Sequence, residues 1–307
     1  VPSQPSVTPA APDVVETGLG IGGECGLLQR AIMAHGIHLG ADELKLFEKM
    51  GTTIAHCPLS NSYFGDGVFP TRRHLDAGLR IVAPDLVGFG KSDKPTEKSD
   101  YTYERHVAWM QAAIIDHLDL RDATFFGQDW GGLIGLRLVA ESPDRFARVV
   151  IGNTGLPTGE HAPSDAFLAW QRFSQTTEVF DIGFLLNSAT QTDLSPGEVA
   201  AYDAPFPDDS YKEGARIFPS LVPTSPDDPA AAANLAAWEV FKQWDKPLIC
   251  CFSDSDPVTA GGDKPFLQLV PGAAGQPHVT VEGAHHFFQE DAAPQLARIV
   301  IDAVHGG

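Results

Sequence analysis

The sequence predicts an α/β fold in which a mostly parallel sheet carries helices on both faces and a helical cap is inserted between two strands. Short apolar segments with strand character alternate with longer segments of helical spacing along much of the chain. The alternation stops over residues 155–229, where many Pro and Asp residues accompany short helical pieces, and resumes afterwards. A chain of 307 residues is long enough for one large domain with such an insertion.

The first 80 residues divide into two parts. Residues 1–24 are rich in Pro, Ser, Ala and Gly and lack periodicity, so we expect an irregular lead-in. Within residues 25–79, RAIMAHGIHL favours a strand, GADELKLFEKMG a helix that ends at Gly51, and TTIAHCP a second strand. This order predicts one βαβ unit.

The core is predicted from two stretches, residues 80–154 and 230–307. RIVAPDL (residues 80–86) has the character of a buried strand, and YERHVAWMQAAIIDHL of a helix. The remaining elements alternate regularly between strand and helix: ATFFG, DWGGLIGLRLVAES, RVVIGNT, and then, after the cap, AAAANLAAWEVFKQW, PLICCFSDSD, DKPFLQLVPG, HVTVEGAHH and APQLARIVIDAV. Strands that alternate with helices favour parallel pairing.

Charge and composition limit the partners that we expect. Forty acidic and 21 basic residues give a formal net charge of -19, which repels phosphate backbones and anionic membranes. No apolar run approaches the ~20 residues of a membrane span, and the first residues lack a secretory pattern, so we expect a cytoplasmic protein without nucleic acid or membrane partners. Cys250 and Cys251 are expected to be buried thiols in a strand.

The segment GQDWG, Gly127 to Gly131, lies between an expected strand and an apolar helix. A tight turn in this position, flanked by small residues, exposes its central side chain above the sheet as a nucleophile. Here that residue is Asp129, and a carboxylate that attacks a saturated carbon forms an alkyl ester. The alternative is that Asp129 only caps the helix. An acid and then a histidine follow downstream in the triad order of such turns, which favours the nucleophile.

Two segments supply the candidates for the acid and the base. FSDSDP contains Asp254 and Asp256, and GAHHFFQED contains His285 and His286. Histidine suits the base because its ordinary pKa lies near neutrality, and a carboxylate holds its tautomer and stabilises its cation. Asp256 is preferred because it directly precedes Pro257, with Asp254 as the second candidate.

From about residue 80 to the end, the chain resembles a haloalkane dehalogenase of the subfamily whose triad acid comes late in the sequence. The matching segments are APDLVGFGKSDKP, QDWGGLIGLR, YDAPFP, LVPTSPDDPA, SDSDP, PGAAGQPH and HFFQED. The resemblance implies an α/β-hydrolase fold and hydrolysis of a carbon–halogen bond in a small halogenated hydrocarbon, without a cofactor. It also selects His286, because HFFQED matches the segment that begins at the family's catalytic histidine.

The resemblance implies a role for each site residue. Asp129 displaces halide, and His286, paired with Asp256, activates water to cleave the resulting ester. Trp130 and Trp170, the latter in FLAWQRF, match the two tryptophans whose indole N–H groups bind the halide ion. An indole N–H is a donor on an apolar body, which suits a soft anion in a dry pocket.

Residues 30–80 resemble a guanine-deaminase-like amidohydrolase instead, in AHGIHLGADELKLFEKMGTTIAHCPLSN. In that family the histidines that match His35 and His56 serve the metal site and the substrate. Because the paired HxH ligands and the late metal-binding Asp are absent, we expect no metal site. The dehalogenase HG motif that supplies an oxyanion donor is also absent, and His35-Gly36 is the candidate to take its place.

Two other functions remain open from the sequence. An epoxide hydrolase shares the Asp nucleophile but needs two cap tyrosines, for which Tyr202 and Tyr211 are candidates. Trp170 and the dehalogenase-like sequence around Tyr202 favour halide displacement. The third possibility is an inactive chimeric hydrolase, because loss of one oxyanion donor typically costs ~10²–10³ in rate.

Overall fold

The computed structural model describes residues 81–305 and the backbone of two short strands at residues 32–34 and 53–55. These strands, β1 (Ile32–Ala34) and β2 (Thr53–Ala55), pair in parallel with Ile32 opposite Thr53. Both strands lie within the segments that the sequence predicted as the strands of one βαβ unit. The predicted helix of that unit and the lead-in of residues 1–24 lie outside the described residues.

Four further strands form one parallel sheet: β3 (Ala123–Gln128), β4 (Phe146–Gly152), β5 (Leu248–Ser253) and β6 (Val279–Val281), in the order β3-β4-β5-β6. Gly127 pairs with Ile151, and Ile151 pairs with Cys250. This confirms the predicted parallel sheet. Because all four strands run the same way, the loops at their carboxyl ends meet at one edge.

The helices of the described chain have mostly the predicted positions. Residues 155–229, called the cap segment below, separate β4 from β5 and contain α3 to α6. The helices are α1 (Tyr103–Met110), α2 (Asp129–Glu141), α3 (Asp165–Thr176), α4 (Ile182–Ser188), α5 (Pro196–Asp203), α6 (Glu213–Leu221), α7 (Ala231–Phe241), α8 (Lys264–Leu269) and α9 (Phe288–His305).

Helices cover both faces of the four-stranded sheet. Phe125 of β3 contacts α2 so closely that a Cβ on Gly135 would lie 2.0 Å from its ring. The next residue, Phe126, packs on the opposite side against a core that α9 shares, because successive strand residues face opposite ways. The buried members of that core are Val150, Ile249, Cys251, Val281, Ala284, Phe288, Leu296 and Ala303.

Three elements differ from the predictions. Residues 81–86 form no strand in the described chain, because an apolar segment becomes a strand only where a neighbour takes its backbone hydrogen bonds. The helix that begins as α1 continues as a π-helical segment, Gln111–His117. α9 begins earlier than predicted and is interrupted at Ala292 (φ -137°, ψ 30°), two residues before Pro294, which has no N–H to donate.

Two smaller points concern β5 and the helices. Cys250 and Cys251 are buried free thiols, as predicted. Within residues 81–305, no helix combines the length and the hydropathy that crossing a bilayer requires.

Candidate active site

Asp129 directly follows β3 and is the first residue of α2, and its φ of +45° lies in the left-handed region. A non-glycine residue there is strained and needs support from its surroundings. The backbone N–H of Asp129 donates to the Asn153 carbonyl at 3.0 Å, and the Thr154 hydroxyl donates to the Asp129 carbonyl at 2.8 Å. The end of β4 therefore holds the turn, while the Asp129 side chain remains about one third exposed.

Small residues around Asp129 allow this close packing. A Cβ on Gly127 would lie 2.8 Å from the Cα of Gly132, and a Cβ on Gly132 would lie 2.1 Å from the Thr154 hydroxyl oxygen. Gly131, in contrast, has open space where its Cβ would be. Two of the three glycines are thus required by packing, as the strand–turn–helix geometry demands.

His286 lies between two carboxylates. Its Nδ1 is 2.8 Å from Oδ2 of Asp256, and its Nε2 is 3.6 Å from Oδ1 of Asp129. Asp129 follows β3, Asp256 follows β5 and His286 follows β6, so all three come from the carboxyl edge of the sheet. The structure thus brings together the three residues predicted to form the triad.

The Asp256 carboxylate is held firmly from several sides. It is 3% exposed, Oδ1 accepts the Val258 N–H at 2.9 Å, and Oδ2 also accepts the Thr259 hydroxyl. Burial by itself raises the pKa of this carboxyl, but hydrogen bonds and the charge of His286 lower it to about 2. Asp256 is therefore ionised across the physiological range.

The proton affinity of His286 follows from the same arrangement. Burial lowers the pKa of His286, while the hydrogen bond to Asp256 and the nearby carboxylates of Asp129 and Asp256 raise it, to about 10 overall. The imidazole between the two carboxylates is thus cationic near neutral pH.

The neighbouring candidates lie elsewhere. Asp254 is exposed, and its Oδ1 accepts from the Ser255 hydroxyl at 2.9 Å and from the Gly283 N–H at 3.1 Å, which is turn chemistry. The Nδ1 atom of His285 is buried and has no hydrogen-bond partner among the residues that the structure describes. Between the alternatives, the geometry favours Asp256 and His286.

Asn153 connects these loops, and the sequence reasoning did not identify it. It is fully buried with φ +40°, and its Nδ2 donates to the carbonyls of His285 (2.9 Å) and His286 (3.0 Å) and to the Ser253 hydroxyl (2.8 Å). Its Oδ1 accepts the Ser253 N–H at 2.9 Å. The only signal in the sequence was the position of an amide side chain at the end of the RVVIGNT strand.

Trp130 and Trp170 lie in different aromatic surroundings. Trp130 is buried, with its ring 4.4 Å from that of Phe218 in α6. Trp170 in α3 is half-buried, and its ring lies 6.0 Å from that of Phe180. Gln171, the neighbour of Trp170 in α3, donates to the Pro219 carbonyl at 3.0 Å, so α3 is bonded to α6, the helix whose Phe218 packs on Trp130.

The cap tyrosines occupy sites of another kind. Tyr202 is buried, and its hydroxyl donates to the Glu290 carboxylate of α9. Burial, together with the charge of Glu290, raises the pKa of Tyr202 well above its ordinary value. Tyr211 is 37% exposed in a single 3₁₀ turn, Asp209–Lys212.

Within residues 81–305, no three His, Cys, Asp or Glu side chains are arranged so that they could hold a metal ion. His35, Gly36 and His56 lie outside the described residues.

Comparison with known proteins identifies the family to which the chain is similar. The family model for the alpha/beta hydrolase fold matches residues 60–293. A haloalkane dehalogenase of Psychrobacter cryohalolentis is 56% identical over 229 residues, which cover 75% of each chain. One of Mycolicibacterium paratuberculosis is 49% identical over 226 residues, which cover 74% of each chain.

A solved structure agrees. The tetrameric haloalkane dehalogenase DpaA from Paraglaciecola agarilytica is 33% identical, with 76% of each chain covered and a TM-score of 0.67. The comparisons do not support the amidohydrolase resemblance of residues 30–80, and the family model itself begins inside that segment, at residue 60. From its sequence, its fold and these relatives, the chain belongs to the haloalkane dehalogenases, hydrolases of the α/β-hydrolase fold that act on carbon–halide bonds.

Proposed function

We propose that Asp129, His286 and Asp256 are the catalytic residues and that a small haloalkane is converted to an alcohol and a halide ion through an ester on Asp129. The observation that carries the proposal is the placement of His286 between Asp129, 3.6 Å from Nε2, and Asp256, 2.8 Å from Nδ1. Covalent hydrolysis needs a nucleophile, a base beside it and an acid that orients the base, and these three side chains lie next to one another in that spatial order.

In the first step, a carboxylate oxygen of Asp129 attacks the carbon that bears the halogen. The C–O bond forms as the C–halogen bond breaks, and the halide leaves with the bonding electron pair. The partial exposure of Asp129 lets substrate reach the carboxylate. We assign stabilisation of the departing halide to the indole N–H groups of Trp130 and Trp170, which are donors without competing acceptors.

In the second step, His286 takes a proton from water, and the hydroxide attacks the ester carbonyl carbon of Asp129. The tetrahedral intermediate collapses to regenerate the carboxylate, and the alkoxide leaves with the proton from His286 as the alcohol. Asp256 holds the imidazole and stabilises its cation from an almost dry position.

The charges of the site connect the two steps. Both carboxylates raise the pKa of His286 in the free enzyme. Alkylation converts Asp129 into a neutral ester and removes one of these charges, so the pKa of His286 falls at the stage at which a base is needed. The imidazole that is cationic before halide displacement therefore releases its proton to solvent once the ester has formed, and the neutral imidazole then accepts a proton from the attacking water.

An epoxide hydrolase is less well supported, because a cap tyrosine must donate its proton to the opened oxygen. The Tyr202 hydroxyl already donates to Glu290, and Tyr211 lies in an exposed turn.

Bromide release from 1-bromobutane or 1,2-dibromoethane tests the proposal, with Asp129→Asn as the variant and Asp254→Asn as a matched control in an exposed turn. We expect release by the wild type and the control and none by Asp129→Asn. A second variant, His286→Gln, should retain the alkyl group as a mass increase on the peptide that contains Asp129.

Equal release by the wild type and Asp129→Asn would contradict the mechanism. Opening of styrene oxide without bromide release would indicate the epoxide hydrolase instead. No reaction from a folded wild type would favour the inactive hydrolase.

A further inference from the structure

The loop that carries His286 is hydrogen-bonded to Asp291 of α9 directly before that histidine and to the cap segment directly after it. Before it, the His285 N–H donates to Oδ2 of Asp291 at 2.9 Å. After it, the Phe287 N–H donates to the Ala189 carbonyl of the cap at 3.1 Å. His286 is therefore flanked by two backbone amides that are each fixed by a bond toward the cap or toward Asp291.

Asp291, in the first turn of α9, joins the cap segment directly to the loop that carries His286. Its Oδ1 accepts the backbone N–H groups of Gln191 (2.9 Å) and Thr192 (2.8 Å) from the cap segment, while its Oδ2 accepts from His285. Hydrogen bonds to an ionised carboxylate are roughly twice as strong as neutral ones. One side chain thus binds cap backbone and histidine-loop backbone at the same time.

Other bonds complete the junction. Tyr202 of α5 donates to Glu290, the neighbour of Asp291. From the sheet side, Asn153 and Gln128 donate to the His286 carbonyl at 3.0 and 3.2 Å. Core residues therefore bind the carbonyl groups of the loop, whereas the cap segment and Asp291 bind its amide groups. Displacement of the cap would disturb the amide bonds and leave the carbonyl bonds in place.

We propose that Asp291 is a positioning residue of the dehalogenase reaction, which couples the placement of the cap segment to the approach of His286 to the Asp129 ester. The inference rests on the proposed function and goes beyond the triad. A base must keep hydrogen-bonding reach of the water that it deprotonates, and displacement by about 1 Å can cost ~10²-fold in rate. Asp291 thereby acts through His286 and touches no reacting atom.

The two chemical steps give this role a specific signature. Halide displacement uses the Asp129 carboxylate, whereas ester hydrolysis uses His286. Loss of Asp291 therefore slows the second step and leaves the first nearly unchanged, so the alkyl-enzyme accumulates. General destabilisation of the fold lowers both steps together.

Rapid-mixing kinetics with 1-bromobutane on the full chain test the proposal through the halide burst, the steady-state rate and the intact mass. For Asp291→Ala we expect a burst of about one bromide per enzyme, a kcat lower by roughly ten- to a hundredfold and a KM lower in parallel. In Asp291→Asn, one oxygen remains to accept from the cap amides, but the NH₂ group cannot accept from the His285 N–H. This variant therefore separates the bonds to the cap segment from the bond to the histidine loop.

Asp181→Ala is the matched control. Asp181 also accepts a backbone N–H in the cap, that of Phe184 at 2.9 Å at the start of α4, and it caps that helix. We expect its burst and steady-state rates to match those of the wild type. If Asp291→Ala slows both steps equally, or leaves both at the wild-type rate, the positioning role is wrong.

Hydrogen exchange provides a second measurement that needs no turnover. Amides of residues 285–287 and 191–192 should exchange faster in Asp291→Ala than in Asp181→Ala, and equal exchange would contradict the proposal. A wild type that forms no ester would refute the proposed function. An ester whose hydrolysis is unaffected by Asp291→Ala would refute the positioning role alone.

Discussion

The Asp256 carboxylate and the His286 imidazole form a 2.8 Å hydrogen bond in which the acid is 3% exposed and the base reaches toward Asp129. The burial of Asp256 leaves little competing water, so its charge acts mainly on one ring nitrogen. That nitrogen is Nδ1, which leaves Nε2 on the side of the nucleophile. The orientation of the base is therefore decided by a carboxylate from another loop.

We expect Asp256→Asn to stop turnover after the first chemical step. The amide carries no charge to stabilise the imidazolium and can favour the wrong tautomer, which in comparable triads costs about 10⁴ in kcat. Halide displacement by Asp129 should persist as a single burst. Bromide release and intact mass, measured beside the Asp254→Asn control, check this, and continued turnover at the wild-type rate would argue against Asp256 as the acid.

Stability should fall with rising pH because of His286. Its pKa is about 10 in the folded protein and 6.5 in an unfolded chain, so its contribution is complete below about pH 6.5 and is lost as the pH rises through 10. Between these values the folded state binds more protons. The Tm of the wild type should therefore fall more steeply from pH 7 to 10 than that of His286→Gln, and parallel curves would be inconsistent with the raised pKa.

Two adjacent glycines should respond differently to alanine. Gly132→Ala places a Cβ 2.1 Å from the Thr154 hydroxyl oxygen, whereas Gly131→Ala meets open space. Overpacking typically costs 1–3 kcal/mol, so Gly132→Ala should lower Tm by several degrees and reduce activity through the Thr154–Asp129 bond. Gly131→Ala should leave Tm unchanged or raise it. Thermal unfolding and bromide release measure both, and equal effects would count against the packing.

Bromide binding should depend on two of the tryptophans. Quenching of indole fluorescence by bromide reports the dissociation constant of the ion, and one lost charged hydrogen bond, about 1.5–3 kcal/mol, corresponds to a roughly ten- to hundredfold weaker Kd. We expect this for Trp130→Phe and Trp170→Phe. Trp244→Phe is the control, because Trp244 packs against Phe241. If Trp170→Phe binds bromide as the wild type does, Trp170 is not a halide ligand.

His106 should limit stability in acid. It is fully buried among aromatic rings, neither ring nitrogen has a hydrogen-bond partner within the described chain, and burial lowers its pKa to about 4. Because the unfolded chain protonates near pH 6.5, stability is lost as the pH falls from 6.5 to 4. His106→Phe should raise Tm more at pH 5 than at pH 8. The exposed His117→Phe serves as a control, and an equal response of the two variants would contradict the expectation.

Features of local origin could be predicted from the sequence. The strand, tight turn and apolar helix around Asp129 are neighbours in the chain, so their periodicity and the small residues between them predict the turn without knowledge of any tertiary contact. The parallel sheet followed from the same alternation of segments. The family resemblance assigned chemical roles to residues about which the periodicity says nothing.

Choices between neighbours needed the tertiary structure. Asp254 and Asp256 lie in one loop, and His285 and His286 are adjacent, so the preference for Asp256 and His286 rested on the following Pro257 and on the family resemblance, and not on a physical contact. The folded backbone supplies that contact, because Asn153 holds the carbonyls of both histidines and the ring that reaches Asp256 is that of His286.

The sequence by itself determined the fold class, the parallel pairing of strands that alternate with helices, and Asp129 as the residue on the turn. Only the tertiary structure decided which histidine meets which carboxylate, that residues 81–86 form no strand in the described chain, and that Asp291 joins the histidine loop to residues 191 and 192 of the cap segment. The reason is separation along the chain: periodicity and turn chemistry are properties of consecutive residues, whereas these bonds join segments that folding alone brings within 3 Å.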